Sequence, residues 1–142
     1  LHRRRHSFPT RRSSDLVEEL SITSIQAARA AYLHQGLRDR LARYHQDVDS
    51  AFYGWNDIWL HPEFRDWNIE AELAQIPCPV LAIQGENDEY GSMQQILGIR
   101  DHLPATEIVG LPACGHSPHR DQPEKLIMAV STFIDRHLWH SE

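Results

Sequence analysis

Two short apolar runs, PVLAIQG at residues 79–85 and TEIVGL at residues 106–111, limit what this chain can fold into. The first is rich in β formers, continuous rather than alternating, and closed by Gly85, as a parallel strand buried on both faces reads. Between the runs, Ser92 can cap a helix through Leu103 that puts Ile96, Ile99 and Leu103 on one face. Pro112 ends the second run, and Asp121 with Glu124 forms an Asp-x-x-Glu capping box for a last helix that should bury Leu126, Ile127, Val130, Ile134 and Leu138. A strand-helix-strand-helix order implies an α/β fold with parallel strands joined by a right-handed crossover. In such sheets, ligands meet the loops beyond the carboxyl ends of the strands.

The chain before this point follows a helical pattern. Ser24 can cap the run IQAARAAYLHQ, whose alanines favour helix, and Gly36 ends it. Leu37, Leu41, Tyr44, Val48, Phe52, Trp55 and Trp59 then recur at steps of three and four, one apolar stripe on one or two consecutive helices. Arg38, Arg40, Asp47, Asp49 and Asp57 fall on the other side, toward water. Core packing is the commoner use of an aromatic stripe, and a substrate pocket lined by Phe52, Trp55 and Trp59 is the alternative. Pro62 stops the pattern.

The two loops after the apolar runs hold the residues best suited to chemistry. One is Gly85-Glu86-Asn87-Asp88-Glu89-Tyr90-Gly91, and the other runs from Cys114 to Glu124 through His116, His119, Arg120 and Asp121. Adjacent parallel strands bring such loops together, so a carboxylate from the first can accept a hydrogen bond from an imidazole in the second, fixing its tautomer and raising its basicity. Asp88, reached by G-x-x-D after the strand, is the expected acid, with Glu86 and Glu89 as alternatives, and His116 is the expected base. A different chemistry is also written here: Cys114, His116 and His119 form C-x-H-x-x-H, which can hold zinc with one further ligand, although no second ligand cluster accompanies it. Cys78 and Cys114 otherwise read as small buried side chains, too few for a disulfide framework, so a reducing, cytoplasmic setting is expected.

The first sixteen residues carry five arginines against one acid, on a chain whose net charge is −6. A basic arm of that kind suggests nucleic acid or targeting. Residues 6–16, HSFPTRRSSDL, however, match codon by codon the translation of a common sequencing adapter, so residues 1–16 are expected to be a non-native tail without apolar periodicity or native partners. No window offers the apolar length of a membrane helix, and neither nucleic acid nor membrane is an expected partner.

Together, IPCPVLAIQGENDEYG and LPACGHSPHRDQPE make residues 17–142 resemble the α/β-hydrolase family. The resemblance implies Asp88 as triad acid and His116 as triad base, residues 17–66 as a helical cap and residues 67–142 as the carboxyl-terminal part of the core. It also implies a nucleophile upstream of the acid; no G-x-S-x-G occurs, so the chain is expected to be the cap and carboxyl-terminal fragment of a hydrolase, inactive alone. Hydrolysis of an ester, thioester or carbon–carbon bond in a small molecule with an apolar acyl or aryl group would follow, with Trp55, Trp59 and Tyr90 touching substrate and no cofactor implied. A non-catalytic binding protein of the same fold, and the small zinc module, remain the alternatives.

Overall fold

A computed structural model describes residues 17–138, so the expected tail at 1–16, with Phe8 and Leu16, lies outside the described residues. In chain order the elements are α1 (Glu19–His34), α2 (Leu37–Leu41), α3 (Val48–Leu60), a 3-10 turn (Pro62–Phe64), α4 (Glu70–Leu73), β1 (Leu81–Gly85), α5 (Gln94–His102), β2 (Glu107–Leu111), α6 (Pro118–Asp121) and α7 (Pro123–Leu138).

The helical region closes a core on itself. Tyr32 of α1 stacks on Phe52 of α3 with ring centroids 3.8 Å apart, and Val48 joins them in a cluster flanked by Leu37, Leu41 and Tyr53. Asn56 of α3 is fully buried and donates from Nδ2 to the Ile25 carbonyl of α1, which satisfies the amide and fixes the two helices against each other. At the rim, Arg38 reaches both oxygens of Asp49, and the Tyr32 hydroxyl donates to the same carboxylate.

Two expectations need correction here. Ser24 does not cap α1: the helix starts earlier, at Glu19, and Ser24 lies inside it, because Ser21, Ile22 and Ile25 share one buried face and nothing in residues 19–24 breaks a helix. Tyr44 leaves the apolar stripe and stands 82% exposed, since α2 stops at Leu41 and the chain turns before α3, which the Asp47 side chain opens by accepting the Ser50 N–H. Gly36 ends α1 as expected, at φ 69°, in the left-handed region that suits glycine beyond a helix end.

β1 and β2 pair in parallel, in register from Leu81 with Glu107 to Gly85 with Leu111. The crossover runs through α5, whose first N–H, on Gln94, donates to Ser92 Oγ, although Met93 holds the formal cap position. α7 is pinned to β2 by Arg136 and His137, both on Glu107. Its apolar side is far from buried: Ile127 is 64% exposed, and Val130 and Ile134 are each 36% exposed, because the sheet beside it has only two strands among the described residues. The expected capping box is also replaced. Asp121 closes the short α6, and its carboxylate turns back to accept the Gly115 N–H. Cys78 is exposed and Cys114 buried, so only the second fits the expectation of a small buried side chain.

Candidate active site

The parallel register sets the acid loop and the histidine loop side by side at the carboxyl ends of β1 and β2. Their backbones touch: Glu86 N–H donates to the Leu111 carbonyl and Asn87 N–H to that of Cys114, at 3.0 and 2.9 Å. Gly85 is where they come closest. A Cβ there would lie 2.3 Å from the carbonyl oxygens of both Cys114 and Gly115, so any side chain would force the loops apart. Gln84, buried on β1, donates from Nε2 to the Gly91 and Ser92 carbonyls and so holds the far end of the acid loop. On the histidine side, Ala113 adopts φ 52°, a left-handed conformation that costs a non-glycine residue roughly 1–2 kcal/mol.

These supports bring Asp88 and His116 together. His116 Nδ1 lies 2.9 Å from both Oδ1 and Oδ2 of Asp88, and the Tyr90 N–H donates to Oδ1 at 2.8 Å. With Nδ1–H donating to the carboxylate, Nε2 carries the lone pair, and it hydrogen-bonds nothing among the described residues. The Asp88 side chain is 10% exposed and that of His116 28%, so the pair is shielded yet reachable. Glu86 and Glu89 point elsewhere, both being exposed and outside this pair.

His116 also lines a cavity of about 540 Å³ that the helical region roofs. Trp55, Trp59, Phe52 and Tyr90 all contribute to its wall, along with Ile25, Leu37 and Leu41, so the aromatic stripe is split between core and cavity. Phe52 faces both, while Trp55 is 37% exposed. Tyr90 bridges the two halves: its ring meets His116 edge-on at 4.9 Å and Trp55 at 6.4 Å. Burial, then the charges of Glu89 and Asp88, push the Tyr90 hydroxyl pKa up, so it is a neutral phenol at physiological pH. Among the described residues no Arg, Lys, Asp or Glu lines the cavity, which suits an uncharged apolar group.

The zinc arrangement does not form. Among the described residues no three His, Cys, Asp or Glu side chains converge to hold a metal ion. His116 Nδ1 is turned to Asp88, His119 is exposed, and Cys114 is 1% exposed with its thiol pKa raised by burial, away from the thiolate a metal needs. Nor does any described serine or cysteine hydrogen-bond to His116.

Sequence reasoning missed how the helical region grips the acid loop. Ser21 Oγ donates to the Tyr90 carbonyl, Ser24 Oγ donates to the Glu89 carbonyl, and Glu18 accepts from Ser92 N–H, Ser92 Oγ and Gln95 Nε2. Burial works to raise the Glu18 pKa, but these hydrogen bonds outweigh it and lower it. The signal was present as polar residues spaced by three on what should be the buried side of α1.

The sequence model of the alpha/beta hydrolase family matches residues 2–129, and the chain belongs to that family. A pimeloyl-[acyl-carrier protein] methyl ester esterase from Nitrosomonas europaea is 37% identical over 60 residues, which is 42% of this chain and 24% of that protein. Among solved structures, a thermophilic esterase from Thermogutta terrifontis, with malate bound, aligns at a TM-score of 0.55 and 17% identity over 88% of this chain and 54% of its own. A hydrolase from Pseudomonas aeruginosa PA01 aligns at 0.50 and 21% identity, over 85% and 52% respectively. These structures share the fold, and the chain spans about half of their length and about a quarter of the curated relative. No described helix is long and apolar enough to cross a membrane.

Proposed function

We propose that the chain is the cap and acid–histidine part of a carboxylic ester hydrolase, residues 17–66 forming the cap and residues 67–142 the carboxyl-terminal part of the core. The observation that carries this is the Asp88–His116 pair at the wall of an uncharged aromatic cavity. The esterase name of the Nitrosomonas europaea relative supports esters over the other bonds such a pair can cleave.

In this reading His116 Nε2 takes the proton of a nucleophilic hydroxyl as that oxygen attacks the ester carbonyl, then gives it to the departing alkoxide. The acyl intermediate is cleared by water in the same way. Asp88 keeps Nδ1 protonated and stabilises the transient imidazolium. The hydroxyl belongs to a serine in the part of the family fold that precedes the cap in chain order, together with the oxyanion donors. Trp55, Trp59 and Tyr90 bury the apolar acyl or aryl group of a small, cytoplasmic substrate. No cofactor and no nucleic acid enter the chemistry.

The test is hydrolysis of p-nitrophenyl esters by the hydrolase that contains this chain. Asp88→Ala and His116→Ala should each lower kcat by about three to four orders of magnitude, His119→Ala should change it little, and chelators should have no effect. Chelator-sensitive activity that tolerates Asp88→Ala would replace this reading with metal chemistry, and binding without turnover would replace it with a non-catalytic role.

A further inference from the structure

We infer that Ser24, on α1 of the helical region, is a positioning residue for Asp88, closing a hydrogen-bonded relay that runs through a single peptide unit to the carboxylate and on to His116. The inference rests on the Asp88–His116 reading proposed above. The peptide that joins Glu89 to Tyr90 is held on both sides. Its carbonyl oxygen, on Glu89, accepts from Ser24 Oγ, and its N–H, on Tyr90, donates to Asp88 Oδ1 at 2.8 Å. The same Oδ1 accepts from His116 Nδ1 at 2.9 Å.

An amide conjugates its two ends, so a donor on the oxygen draws electron density from nitrogen and makes the N–H a stronger donor; hydrogen bonds in series reinforce one another. Ser24, the 89–90 peptide, Asp88 and His116 therefore form one path rather than separate contacts. Removing the hydroxyl weakens the donor on Oδ1 and frees the peptide to rotate, and the carboxylate loses its orientation toward Nδ1.

Two neighbours stiffen the path. Ser21 Oγ holds the next carbonyl, on Tyr90, and the Glu18 carboxylate takes three hydrogen bonds from Ser92 and Gln95, at 2.6 to 2.8 Å. Glu18, at the N-cap of α1, and Ser21 and Ser24 within it follow one another at intervals of three, so one side of the first turns of the helix carries these hydrogen bonds. Apolar Ile22 and Ile25 already supply the packing of this helix, and packing alone has no need of hydroxyls aimed at loop carbonyls flanking the acid. Ser24 does not line the cavity, which separates a positioning role from contact with substrate.

The consequence is that the region binding the substrate also sets the acid. Ser21 lines the cavity and Ser24 stands one turn further along the same helix, so any displacement of α1 is passed to the 89–90 peptide.

The test compares Ser24→Ala, Ser24→Thr and Ser24→Val with Asp88→Ala in the hydrolase that contains this chain, measuring kcat and KM on p-nitrophenyl butyrate and the His116 Nδ1–H proton by NMR. Ser24→Ala should lower kcat about ten- to hundredfold, as a small misplacement of a catalytic group does, with KM little changed and the Nδ1–H signal broadened. Threonine and valine share a shape and differ by the hydroxyl. Ser24→Thr should keep kcat near the parent value and Ser24→Val should lose it, which decides the matter even if Ser24→Ala does not fold. Equal kcat for the threonine and valine variants, or a loss expressed in KM, overturns the inference while an inactive Asp88→Ala leaves the proposed function standing. Full activity in Asp88→Ala overturns both.

Discussion

The helical region and the strand region differ in how far each satisfies itself. In the first, Tyr32, Val48 and Phe52 are buried against one another, and buried Asn56 has its partner within the same three helices, while buried Ser21 alone reaches out, to the Tyr90 carbonyl. In the second, two strands share one ladder, and Ile127 and Met128 of α7 stand 64% and 70% exposed. Yet the second holds the acid and the base, and the first holds only walls and hydrogen-bonding handles for the proposed chemistry. A self-contained helical core gives a fixed surface against which the acid loop is fastened. The sheet contributes direction through its register, not bulk stability. Exposed apolar area of this extent on a helix marks a surface suited to burial against further structure.

The largest expected effect falls on the self-contained side. Phe52→Ala should destabilise the helical region by about 3–5 kcal/mol, the cost of emptying a packed aromatic site, measured by urea unfolding; a change under about 1 kcal/mol would break the contrast, because that core would then not be holding the region together. Next comes Gly85→Ala, which sets a methyl group against two backbone carbonyls that cannot yield as a flexible side chain does. It should cost about 1–3 kcal/mol or more and separate Asp88 from His116, read as loss of the His116 Nδ1–H signal.

The strand region should show itself in association rather than in unfolding. The chain as written should self-associate in sedimentation velocity, and Met128→Lys with Ile127→Lys should shift it toward monomer with little change in stability. A monomeric parent chain would contradict the account of α7. The smallest effect concerns Asp49, whose pKa is pulled down from 3.8 to about 2 by hydrogen bonds from Arg38 first and Tyr32 second. A carboxylate depressed in the folded state stabilises it above its unfolded pKa, and the contribution disappears as pH falls through the folded value. The helical region should therefore lose stability between about pH 4 and pH 2, and Arg38→Ala should flatten that slope slightly, since the pair is half exposed.

What could be read directly from the sequence was whatever leaves a local signature. The strands show as continuous apolar runs closed by Gly85 and Pro112, and the two loops follow from where parallel strands end. Asp88 stood out by its spacing from Gly85, and Trp55 and Trp59 by helical period. The misses share a cause: the local pattern allows one arrangement and the fold takes another. Ser24 reads as a cap because its neighbours allow one, but its hydroxyl goes to Glu89 across 65 positions. Asp121 reads as half of a capping box, and Gly115 N–H takes its carboxylate instead. Tyr44 fits the periodicity of a helix that ends at Leu41. The apolar side of α7 was read correctly as apolar; burial depends on what stands opposite, which periodicity does not record.

In the proposed function Asp88 holds His116 in the tautomer with the proton on Nδ1 and the lone pair on Nε2. The direct measurement is the imidazole 15N spectrum of His116 at a pH where the ring is neutral, in the parent protein and in Asp88→Ala. A protonated Nδ1 and an unprotonated Nε2 are expected in the parent, and a mixture of both tautomers once the carboxylate is gone. A parent spectrum with the proton on Nε2, or one that Asp88→Ala leaves unchanged, would contradict it.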